Sequence, residues 1–87
     1  MGTSIGTTAI GIAAARVYAT GPLRCHEAIL QSATANTGVV TIGSAEANQY
    51  MVVPEAPNVL ILHDVDLFNI WAISTATPEV LNYIAST

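Results

Sequence analysis

Few residues of this 87-residue chain are equipped for chemistry, and the densest group is His63-Asp64-Val65-Asp66. Side chains alternate along a strand, so His63 and Val65 share one face while Asp64 and Asp66 share the other, about 6.6 Å apart. Two carboxylates so placed would offer oxygens to a hard cation. Calcium, however, takes roughly six to eight oxygens from an organised loop, which this segment does not supply. Aspartates ending a strand more often bind nearby backbone N–H groups in a turn. His26 and Glu27 are adjacent, so a strand sends them to opposite faces, which is poor geometry for a proton relay. Cys25 and His63 form a nucleophile–base pair only on paper, because no flanking motif or orienting third group accompanies them. The chain also lacks a phosphate-binding lysine loop, a dinucleotide glycine pattern, an H-E-x-x-H helix and a serine elbow. We therefore expect no enzyme, and assign no catalytic residue, metal ligand or cofactor.

The aromatic residues offer a different kind of site. Phe68 and Trp71 stand three apart, with Tyr50 and Tyr83 elsewhere in the chain. Exposed rings beside polar groups stack on sugars or anchor protein partners, so Trp71, Phe68 and Tyr50 are the candidates for an adhesion or carbohydrate-binding alternative.

Composition says what must hold such residues in place. A chain of this length makes one domain and buries only about 60–65% of its unfolded surface, leaving a thin core. Small domains compensate with disulfides, a metal or association. Cys25 is the single cysteine, so no internal disulfide forms, and we expect it to act as a small buried apolar residue. Association is left. Hydrophobic residues make up 52% of the chain and charged residues only 9%, against a usual charged share of about 25%. Lysine is absent, and Arg16 and Arg24 are the only cations. Two isolated arginines and a net charge of −4 suit neither nucleic acid nor an anionic membrane surface. No apolar run reaches the ~18 residues of a membrane span. The glycine- and threonine-rich start has no basic region and is read as part of a mature, cytosolically made chain.

Residues 1–14 hold Ile5, Ile10 and Ile12 among glycines at 2, 6 and 11, and are expected to form an extended N-terminal arm. A short helix over Thr7–Ala15 is the competing reading, because Ala13–Ala15 favour it. Residues 15–87 read as a single β-domain of about seven short strands: Arg16–Ala19, Arg24–Ala33, Val39–Ile42, Gln49–Val53, Asn58–His63, Asn69–Ser74 and Glu79–Ala85. Turns at Gly21-Pro22, Asn36-Thr37-Gly38, Gly43-Ser44, Pro54 and Thr77-Pro78 separate them, with Gly38 suited to positive φ. No crossover helix fits between them, so the fold class is all-β: a small antiparallel sandwich or barrel. Leu30, Val40, Ile42, Val52, Ile61, Leu67 and Ile70 are the expected core. The opposite parity carries Ile29, Val39, Leu60, Leu62, Trp71 and Ile73, and is too apolar for a solvated face. Ile5, Ile10, Ile12, Ile29, Val39, Trp71 and Ile73 are accordingly the expected interface.

From about Leu23 onward the order of features resembles a family of small β-domains among the virion proteins of tailed bacteriophages, of the head-decoration, cement or head-fibre type. The resemblance rests on Arg24-Cys25-His26 with Ile29 and Leu30, on the turn and strand from Asn36 through Gly43, and on Tyr50–Pro54. It continues through Asn58–Leu62, Asp66–Ala72 and Val80–Ala85, so it spans roughly two-thirds of the chain. The sequence departs from the family pattern at Glu55-Ala56-Pro57, where a Pro-Gly type turn is usual. The resemblance implies a structural protein on the capsid surface of a virion. It would bind the major capsid protein and its own copies, as a homo-oligomer for which a trimer is the expected order.

Overall fold

The computed structural model describes every residue except 1, 34–37, 48, 50, 56 and 77–78. The expected Asn36-Thr37 and Thr77-Pro78 turns, the departure at Ala56 and the stacking residue Tyr50 lie in part or whole outside the described residues. Among the described residues eight strands form: β1 (Thr3–Ile10), β2 (Ala15–Arg16), β3 (Arg24–Ser32), β4 (Val40–Gly43), β5 (Met51–Val52), β6 (Leu60–Asp66), β7 (Trp71–Ser74) and β8 (Glu79–Ser86). A 3-10 turn, Leu67–Asn69, joins β6 to β7. One four-stranded sheet has the order β1-β8-β3-β6 and the other β2-β7-β4-β5, with every neighbouring pair antiparallel. Two four-stranded sheets with this strand order make a jelly roll.

The all-β reading holds, and each of the seven expected strands has a counterpart. The N-terminal segment differs. Residues 3–10 neither extend freely nor coil into a helix, because they pair with β8 along their whole length, from Thr3↔Ser86 to Ile10↔Glu79. The boundary drawn at residue 14 therefore falls between two strands of one domain. The alternation in Thr3–Ile10 is masked in the sequence by small residues, since only Ile5 and Ile10 are large. Thr8 Oγ1 further donates to Val17 O at 2.7 Å, tying β1 to the chain just after β2.

Burial follows parity most strictly in β8, where Leu81, Tyr83 and Ala85 point inward and Val80, Ile84 and Ser86 outward. The core between the sheets is built from Ile10, Val17, Cys25, Ala28, Leu30, Val40, Ile42, Val53, Leu67, Ala72, Leu81, Tyr83 and Ala85. Leu30, Val40, Ile42 and Leu67 lie where expected, and Ile70 is half-buried against them. Val52 and Ile61 do not; they are 57% and 45% exposed. Ile61 stands in the run Val59-Leu60-Ile61-Leu62, whose unbroken apolar character carries no phase. Its neighbours Leu60 and Leu62, expected on the outer face, are the ones that pack on the core. Val52 belongs to the two-residue edge strand β5, where Met51 turns inward instead.

Gly38 has a steric role in place of the expected positive φ: an added Cβ would lie 2.6 Å from Thr75 Oγ1.

Candidate functional site

The phase of β6 breaks at Asp64, which has a φ of 52°, in the left-handed region that aspartate tolerates better than most residues. His63 and Asp64 consequently both face solvent, while Val65 and Asp66 are half-buried. β3 breaks phase opposite this point: Cys25 and Ala28 turn inward, with His26 exposed and Glu27 half-buried between them. The two expected carboxylates are thus not brought to one face. Asp66 is committed to the backbone, its Oδ1 accepting from Leu23 N at 2.8 Å and from Phe68 N at 3.0 Å, where it caps the 3-10 turn. This is the turn-residue use of an aspartate.

His26 Nδ1 and Asp64 Oδ1 are 3.9 Å apart, with side chains 85% and 87% exposed. They flank a shallow depression of about 200 Å³, lined also by Arg24, Cys25 and Thr87. The thiol there is poorly placed to act as a nucleophile. Cys25 is buried, its Sγ donates to Leu23 O at 3.1 Å, and burial pushes its pKa above the usual value. A hydrogen bond from the Leu67 backbone opposes that rise only in part, and the Asp66 charge adds to it. The thiol is protonated at neutral pH, so attack through a thiolate is disfavoured.

The aromatic group contains a residue that sequence reasoning left out. Arg16 of β2 places its guanidinium carbon 3.9 Å from the Phe68 ring centroid and 4.4 Å from that of Trp71. Arg16 Nη1 also donates to Phe68 O. Trp71 sits opposite Arg16 in the β2–β7 register, and Val17 N donates to Ile70 O at 2.8 Å, which fixes the pairing. A cation over two rings is worth about 0.5–2 kcal/mol per ring, and it takes up one face of each ring. The arrangement braces β2 against the 3-10 turn. It does not favour the carbohydrate-binding alternative.

The expected interface residues do not form one patch. Ile10 is 1% exposed and belongs to the core, because it ends β1 on the inward parity. Ile12 is exposed in the link to β2. Val39, Trp71 and Ile73 associate with the second sheet, where Trp71 and Ile73 are half-buried and Val39 is exposed. Ile5 and Ile29 belong to the outer face of the first sheet, and there the register reveals something absent from the linear sequence. Ile5 pairs with Ile84, Ile84 with Ile29, and Ile29 with Ile61. Four isoleucines, one from each strand, form a single row across the sheet on its solvent side. Ile5 is 75% exposed, Ile84 41% and Ile61 45%, with Ile29 half-buried between them. The neighbouring row, Thr7, Asn82 and Gln31, is polar but uncharged. Beside it a shallow apolar dent of about 100 Å³ is lined by Ile29, Val59, Tyr83 and Ile84, among others. Val59 and Val80 extend the apolar surface further along the same face.

No protein-family model, curated protein or solved structure matches this chain.

Proposed function

We propose that this protein is a structural assembly module, and that the assembly is the head of a tailed bacteriophage, which it decorates and stabilises. The observation that carries the reading is the isoleucine row across the outer face of the first sheet. Contiguous exposed apolar surface on a small domain marks a binding face. Fully covering one isoleucine is worth about 1.5–3 kcal/mol. Even at half that value, four of them match the ~5 kcal/mol at the low end of domain stability.

The scarcity of charge agrees with such a role, since an exterior rich in Thr, Ser, Asn and Ala suits close contact with other protein. The jelly roll is an architecture of viral capsid domains, although lectins and cupins use it too, so the fold supports the reading by analogy alone. The choice of a phage head rests on the resemblance of residues 23–85 to head-decoration and head-fibre domains. In this role the isoleucine face meets capsid subunits. A ligand that binds only the intact shell stabilises it by mass action.

Co-sedimentation with phage heads lacking their decoration tests the proposal. The wild-type chain should pellet with the heads and raise their resistance to heat, while an Ile29→Lys/Ile84→Lys variant stays in the supernatant. Failure of the wild-type chain to bind heads removes the proposed role.

A further inference from the structure

Jelly rolls have four sheet edges, and in this one three are guarded against a further strand. β2 and β5 are two residues long. β6 carries His63, Asp64 and Asp66 and is bent out of extended geometry by the positive φ of Asp64. Short strands, charges and distortions are the devices by which proteins protect edges. β1 has none of them. Its eight residues, TSIGTTAI, include no charge and no proline.

The direction of its free backbone groups follows from two hydrogen bonds. Thr87 N donates to Gly2 O at 2.9 Å, continuing the register in which Thr3 faces Ser86. Even-numbered residues of β1 therefore exchange bonds with β8, and the odd-numbered ones point away. Gly11 O, on the odd side, accepts from Ser74 N at 2.9 Å and so belongs to the second sheet. Thr3, Ile5, Thr7 and Ala9 remain, each directing one N–H and one C=O to an edge beside which no described strand lies.

We infer that β1 pairs antiparallel with β1 of a second copy of this chain, about a two-fold axis at Gly6. In that register Thr3 faces Ala9 of the second copy and Ile5 faces Thr7, so all four outward-pointing residues of each strand fall in bonded pairs. Gly6 meets its own counterpart in a non-bonded pair, where strands approach closest. An uncharged strand pairs with itself without the like-charge repulsion that would oppose it. The contact is isologous and closes at two copies. It also brings Ile5 of each copy beside the other across the axis, joining the two isoleucine rows. A dimer replaces the trimeric order implied by the resemblance. The inference deepens the assembly reading but uses a different surface: the face meets the shell, and the edge meets the second copy.

Amide hydrogen exchange together with sedimentation equilibrium at micromolar concentration tests it. The wild-type chain is expected to sediment at twice its 9.0 kDa, with the amides of Ile5, Thr7 and Ala9 exchanging as slowly as those bonded to β8. Thr7→Pro removes an outward N–H and leaves the β1–β8 bonds in place, an edge-strand context that tolerates proline. It should give a monomer in which the Ile5 and Ala9 amides exchange roughly tenfold faster or more. Ile5→Lys, which puts a charge on the edge without touching the backbone, should do the same. A wild-type monomer with rapidly exchanging Ile5, Thr7 and Ala9 amides overturns the inference, as does a dimer that both variants leave intact. A monomer that still binds phage heads sinks the edge pairing alone, and a dimer that ignores heads sinks the decoration role alone.

Discussion

Cys25 and Tyr83 are titratable side chains whose surroundings make a testable demand on pH. Burial is the main cause in each case, raising the thiol above 9.0 and the phenol above 10.0, with the Tyr18 charge adding to the second. A folded chain that holds its protons more tightly than the unfolded one is stabilised while both groups are protonated. The contribution is whole below 9.0 and is lost as pH rises through the higher folded values. Urea midpoints should therefore fall in the alkaline range, with Cys25→Ala losing the earlier part of the fall. A midpoint unchanged by alkali would contradict the buried placement of both groups. At this scale much was legible. The lone cysteine, with no second thiol to pair with, reads as a small buried apolar residue, and Asp66 reads as a strand-ending turn residue. Arg16 was not legible as the brace over Phe68 and Trp71, because 52 residues separate it from Phe68 and nothing local announces the meeting.

Among the elements, β1 departs furthest from expectation, and a glycine explains how it fits. An added Cβ at Gly6 would lie 2.5 Å from the Tyr83 hydroxyl and 2.7 Å from the adjacent ring carbon. Tyr83 is buried and meets Tyr18 edge-on at 6.2 Å between centroids, so the ring has little freedom to retreat. Gly6→Ala is expected to destabilise the fold by about 1–3 kcal/mol, as overpacking a core does, measurable as a lowered urea midpoint. A neutral effect would mean that β1 does not press on the Tyr83 ring. Glycine in a sequence reads as a breaker, and here it is the residue that lets an edge strand lie over an aromatic ring. That double meaning is why Met1–Ala14 reads as an arm. The seven later strands were easier to find, since β-branched runs between turn residues mark them. Their phase was harder. Where Val59–Leu62 is apolar throughout, parity alone cannot say that Ile61 faces out.

For the whole molecule, the thin core predicts association, and the register says where the surplus apolar surface lies. Composition alone indicated that greasy strand surface exceeds what one sandwich hides. It could not gather Ile5, Ile29, Ile61 and Ile84 into one row, because long-range strand pairing decides which distant residues become neighbours. Of that row, Ile5 and Ile29 were anticipated as interface, Ile61 was assigned to the core, and Ile84 was unremarked. The central claim is that another polypeptide covers this row in the working state of the protein. Carbene footprinting of the chain within the intact material that produces it, compared with the purified chain at high dilution, tests the claim directly. Labelling of Ile5, Ile29, Ile61 and Ile84 should drop sharply in the intact material, while the exposed loop residue Ile12 serves as an internal comparison. Equal labelling of the four isoleucines in both states would contradict the account.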